Sequence, residues 1–168
     1  MFCNPTAAAI DTLHKTDQYV GVLKPWTPGT SQIPIDKEKD YFCVATWGTM
    51  HILKCPKFMW HTSKIGPELH GTHGQHLVGE TRQVNVWGVS DFRVETFTVW
   101  HEREYMAEFY KSGAHKNAMI SMKDDMDFRA RRVWVKGEDI PSAGDAVATN
   151  SFVLRVKSGD FPEAPKKA

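Results

Sequence analysis

The stretch from Val94 to Met119 narrows the possible folds more than any other part of the chain. It opens with six residues of strand pattern, Val94 to Val99, closes that strand with Trp100, turns through charged residues and starts a helix. Along this helix Tyr105, Met106, Phe109 and Gly113 recur at the spacing of one buried amphipathic face. Ser112 and Gly113 then interrupt the stripe, and His115 follows in the last turns. Strand end and helix are thus held together by the chain itself.

The other periodic segments arrange themselves around this unit. A strand pattern covers Tyr41–Met50, and a helix spans about 56–70 with Pro56 at a favoured first-turn position. Pro67 fits that helix poorly, so a kink or an end near Gly66 is expected. A second strand covers Leu77–Trp87, a third 92–100, the second helix 102–123 and a fourth strand 128–136. The order β-α-β-β-α-β is the ferredoxin-like split motif, an α+β class. Residues 1–40 form an N-terminal arm with a short helix over Ala7–Tyr19 and a Pro-rich remainder, 41–137 the ferredoxin-like domain, and 138–168 a C-terminal extension. In that extension the alternation Phe152/Leu154/Val156 predicts one more short strand over 151–156.

The first strand carries Tyr41 and Trp47 on one face and Phe42, Val44 and Met50 on the other. A sheet apolar on both faces needs cover on both. Two helices cover one, and a second subunit is the economical cover for the other, so a homodimer is expected.

Composition excludes several partners. A net charge of +1 gives no reason to expect nucleic acid, and no apolar run approaches the roughly 20 residues of a membrane span. Cys3, Cys43 and Cys55 are odd in number and irregularly spaced, which reads as reduced thiols of a cytoplasmic protein. Six tryptophans and nine phenylalanines point to a large core, an apolar pocket or an interface.

His70, His73 and His76 have the most metal-like spacing. No nearby ligand completes the set, and a solvated Gly-rich loop explains the same residues, so no metal is expected. Trp47 and Trp100 lie on strands flanking the helices and are the expected pocket walls, with Met106 and Phe109 from the helical stripe. Asn85 stands out because a mid-strand Asn is disfavoured. His61, with His51, could add a polar spot to an aromatic cavity. His115 titrates in the range that suits proton transfer. It lies six residues beyond Phe109, roughly 9 Å along an ideal helix and turned about 240° from it. The helix must therefore break or re-aim at Ser112-Gly113 for the imidazole to point inward.

Trp100, Glu102, Glu104, Ser112 and His115 fill a pattern of strand, Trp, acidic turn, helix and Ser-x-x-His. In this the chain resembles the antibiotic-biosynthesis-monooxygenase-like proteins of the dimeric α/β-barrel superfamily. The resemblance implies a dimeric barrel and a cavity between helices and sheet. It also implies cofactor-independent oxygenation with an Asn, a Trp and a His lining the cavity, for which Asn85, Trp100 and His115 are the matching residue types. Haem is the alternative cofactor. The haem-degrading members place their ligand at the position of Met119, so a His115 ligand would resemble a carotenoid-monooxygenase arrangement instead. The function expected is a small oxidative, monooxygenase-like enzyme acting on an apolar or aromatic molecule. Its catalytic residues would be His115, Asn85 and His61. Its binding residues would be Trp47, Trp100, Phe109 and Met106. The alternatives are a non-catalytic binding or stress-response module, and an isomerase, cyclase or dehydratase on the same fold.

Overall fold

The structure, a computed structural model, describes residues 24–31, 33–87, 90–111 and 113–165, with the side chains of 84–87 left aside. Its elements are β1 (Thr27–Pro28), β2 (Asp40–His51), α1 (Cys55–His70), β3 (Leu77–Trp87), β4 (Asp91–Trp100), α2 (Arg103–Lys111), α3 (Gly113–Met122), β5 (Met126–Lys136) and α4 (Ala146–Ser158). The strands form one sheet in the order β1-β3-β4-β2-β5, with every neighbouring pair antiparallel. Strands β2 to β5 with their crossovers make the ferredoxin-like α+β motif, and β1 adds a fifth, edge strand from the arm. The short helix expected at Ala7–Tyr19 lies outside the described residues.

Strand β2 sits between β4 and β5 and is buried along almost its whole length. Its register aligns Phe42 with both Trp100 and Trp134. Partners in register share a face, so Phe42 and Trp100 point to one side. There they meet Leu69, Leu77, Met106 and Phe109 beneath the helices. Met50, Phe58, Phe92, Val94, Met122 and Met126 continue the same layer.

The C-terminal extension corrects the sequence reading. Residues 151–156 are not a strand; they lie inside α4. The Asp145 carboxylate accepts from the Ala148 amide and caps the helix start, and Gly159 ends it with φ of 90°. Phe152 and Val156 are four apart and share a helical face with Thr149 and Val153, all fully or nearly fully buried. Leu154, which a strand would bury beside them, is 44% exposed.

This helix lies on the second face of the sheet. Phe152, Val153 and Val156, with Trp26 and Phe161, pack on Tyr41, Cys43, Ala45, Phe97, Val99, Val133 and Val135. Trp26 locks the arm into this layer. Its amide donates to Thr149 Oγ1 at 3.0 Å, and its indole lies on Gly79, where an added Cβ would come within 2.5 Å of the ring. The cover that the sequence assigned to a second subunit is therefore supplied here by the chain itself. A charged group adds to the contact. Glu95, fully buried, accepts from Arg93 Nε at 2.6 Å and from Lys157 Nζ at 3.1 Å, joining β4 to the end of α4.

The helix layer departs from expectation twice. Helix α1 does not end near Gly66 but runs through Pro67 to His70. Pro67 removes only the bond to the residue 63 carbonyl, and both residues are exposed, so water replaces it. The helix expected over 102–123 is described as two, α2 ending at Lys111 and α3 starting at Gly113. Gly113 has φ of 39°, in the left-handed region that favours glycine.

Candidate functional site

The end of β4, helix α2 and the start of α3 bring four of the sequence candidates together. Trp100 is fully buried. The Phe109 ring lies 5.4 Å from it, and Met106 belongs to the same cluster. The break between α2 and α3 turns His115 toward this group. Its ring lies 4.8 Å from Phe109 and 5.0 Å from Tyr110. His115 Nδ1 is buried and has no hydrogen-bond partner among the described residues. Burial lowers the imidazole pKa, and the Tyr110 backbone and the Glu68 carboxylate partly offset that fall.

Three other candidates stand elsewhere. Trp47 is not a wall of this cluster. It belongs to the layer on the opposite face, because it shares the parity of Tyr41 in β2 while Trp100 is in register with Phe42. Asn85 pairs through its backbone with Arg93, and its side chain lies outside the described residues. His61 lies on the face of α1 that carries Phe58 and Leu69, 8% exposed, with its ring edge-on to Trp60 at 4.9 Å. Desolvation, then Lys57 and Lys64, lower its pKa. It is only shallowly covered, and no ring contact, hydrogen bond or charge interaction links it to His115 among the described residues. His51 caps the turn that follows β2, accepting from the Leu53 amide.

The three histidines of the Gly-rich loop point to three different partners. His70 Nε2 meets Glu80 Oε1 at 3.1 Å, the His73 ring packs 5.5 Å from Phe109, and His76 stacks on Tyr105 at 3.5 Å. Among the described residues no group of three or more His, Cys, Asp or Glu side chains is placed to hold a metal. The His70–Glu80 pair lines a polar cleft of about 200 Å³ with Lys24, Thr27, Thr81 and Arg82.

Two residues of this region were missed in the sequence. His101 is 5% exposed, and its Nε2 lies 2.8 Å from Ser31 Oγ, beside the Tyr41 ring. Its only signal was its place directly after the strand-ending Trp100. Glu68, on α1, accepts from the Ala114 amide at 2.6 Å. Nothing in the local pattern of α1 reports a partner 46 residues away.

The Phe109 and Tyr110 rings flank the His115 imidazole, and Phe109 is itself packed on Trp100 and His73. The Trp100 indole N–H is also engaged, donating to Thr98 Oγ1 at 3.0 Å.

No family model matches the chain, and no curated protein matches it. Solved structures that resemble it include proteins described as monooxygenases and a de novo designed protein. SnoaB, a cofactor-independent oxygenase from Streptomyces nogalater, is 8% identical with a TM-score of 0.44, over 56% of this chain and 91% of its own. A dimeric ferredoxin-like protein from an uncultured marine organism is 14% identical with a TM-score of 0.47, over 58% of this chain and 96% of its own. A candidate monooxygenase from Lactobacillus acidophilus is 12% identical with a TM-score of 0.47, over 60% of this chain, which spans 47% of that protein's length. At such identities and scores these likenesses decide nothing about chemistry, and the functional reading rests on the geometry above. No helix among the described residues is long and apolar enough to cross a membrane.

Proposed function

We propose that this chain is a small oxidative enzyme, monooxygenase-like and cofactor-free, that acts on an apolar or aromatic molecule at the ring cluster of Trp100, Met106 and Phe109, with His115 as its base. One observation carries the reading. His115 presents a buried ring nitrogen with no hydrogen-bond partner among the described residues, at the edge of an aromatic layer, and burial favours the neutral form of the imidazole. An unsatisfied buried polar atom costs about 1–3 kcal/mol, and its persistence calls for a role.

The chemistry follows from a neutral base beside an apolar surface. His115 removes a proton from a benzylic-type CH₂ activated by the substrate's own phenolic rings. The carbanion bonds to O₂ and forms a peroxide. The imidazolium returns the proton to the distal oxygen. Cleavage of the O–O bond with loss of the second hydrogen leaves C=O and one water, so substrate and O₂ balance product and water. The protein supplies the base and a dry surface. His61 has no contact with the cluster, and the proposal does not depend on it. A homodimer belongs to the same proposal as an assembly for light scattering to test; the sheet's second face does not require it.

The oxygen electrode tests this. With an electron-rich polycyclic hydroquinone, His115→Gln should lower oxygen uptake about 100-fold, as loss of a general base does, while the melting temperature stays near wild type. Equal uptake by wild type and variant, or uptake by wild type no faster than buffer, overturns the assignment. A second reading, a binding module without catalysis, is favoured by the Trp100 indole N–H, which already donates to Thr98 Oγ1 and so does not serve a developing anion. Saturable binding of the hydroquinone without oxygen uptake would select it.

A further inference from the structure

We infer that Glu68 is the positioning residue of His115: from α1 it fixes the start of α3, and with it the imidazole, and it faces the positive charge that His115 gains on taking a proton. The inference deepens the proposed function and rests on His115 being the base. Three features converge on the carboxylate. Glu68 Oε2 accepts from the Ala114 amide at 2.6 Å, so a side chain from another helix caps the first turn of α3. The carboxylate also packs on the bare Cα of Gly113, where an added Cβ would lie 2.5 Å from Oε1. The same glycine makes the break that re-aims His115. Finally, the anion lies where the positive end of the α3 macrodipole favours it.

Helix α1 also grips the far end of α3. Lys57 Nζ donates to the Ser121 carbonyl at 2.6 Å and to Asp125 at 2.8 Å. The two contacts clamp α3 along its length and leave little freedom for the turn that carries His115. The groups facing the imidazole are few. Helix α1 offers Glu68, while α2 offers the rings of Phe109 and Tyr110 and the Tyr110 backbone. Lys111 and Lys116, its charged neighbours in sequence, are exposed. Glu68 is therefore the anion placed to answer a proton on His115.

A purely structural role and a positioning role differ in a measurable way. In Glu68→Gln the amide oxygen still accepts from the Ala114 N–H, so the cap survives, but the charge is gone. An NMR titration of the His115 imidazole should then move to a lower midpoint than in wild type, and Glu68→Asp should restore it in part. An unchanged midpoint in Glu68→Gln overturns the inference. The wild-type protein gives a check that needs no variant to fold. The Glu68 carboxyl carbon should show a step at the His115 midpoint, and a flat trace there overturns the inference equally. Oxygen uptake separates this from the parent reading. A shifted midpoint with uptake insensitive to His115→Gln upholds the Glu68–His115 pairing and removes the catalytic role.

Discussion

Replacing Phe152 with Ala tests the most consequential feature of the fold, the helix on the sheet's second face. Phe152 is 2% exposed and meets Trp26 edge-on at 5.7 Å and Phe161 at 5.9 Å. Burial of about 150 Å² of aromatic surface at about 25 cal/mol per Å² gives ~4 kcal/mol. The void left behind keeps the cost within the ~3–5 kcal/mol usual for such truncations. Leu154→Ala on the same helix is the control. Leu154 is 44% exposed, so its loss should cost less than ~1 kcal/mol. Urea unfolding followed by tryptophan fluorescence gives both numbers. A strand over 151–156 would bury both side chains on one face and make the two costs similar. Similar costs, or a Phe152→Ala cost below ~1 kcal/mol, would refute the helical docking.

Two further outcomes follow from buried charge and buried imidazoles. Glu95→Gln removes the carboxylate on which Arg93 and Lys157 converge and should cost about 3–5 kcal/mol in urea unfolding, whereas Lys157→Met should cost less because Arg93 still pairs with Glu95; the reverse order would count against the arrangement. Burial lowers the pKa of His61, His101 and His115, so the unfolded chain takes up protons that the folded chain refuses as pH falls through about 6.5. Their stability contribution is complete above that pH and is lost below it, so the melting temperature should drop between pH 7.5 and 5.5; a constant or rising value contradicts the buried neutral imidazoles.

The split motif was legible because its strands and helices are long, differ in period and are separated by turn residues. In the sequence, Gly88, Ser90 and Asp91 mark a tight connection between the second and third strand patterns, and Gly71 and Gly74 mark the loop before β3. The C-terminal helix was not legible from its centre. Across 151–156 a period of two and a period of 3.6 both place Phe152 and Val156 together. The signals that separate the two readings, the Asp145 cap and the Gly159 stop, lie beyond both ends of that window. With 151–156 read as a strand, the two helices cover one sheet face and a second subunit is the economical cover for the other.

The site shows a limit of the same kind. Alternation in β2 correctly separates Tyr41 and Trp47 from Phe42, yet it does not say which of these faces Trp100 shares. That depends on pairing Phe42 with Trp100 rather than with a neighbour, and a shift of one residue would have put Trp47 on the same face as Trp100. Local chemistry travelled further than register. A glycine in the left-handed region interrupts a helix wherever the helix packs, and here Gly113 is followed by His115 placed against Phe109. What holds that turn is the Glu68 carboxylate, a contact made only after two distant helices have met on the sheet. The candidate base was visible in the sequence because its cause is local, and its support was invisible because its cause is the fold.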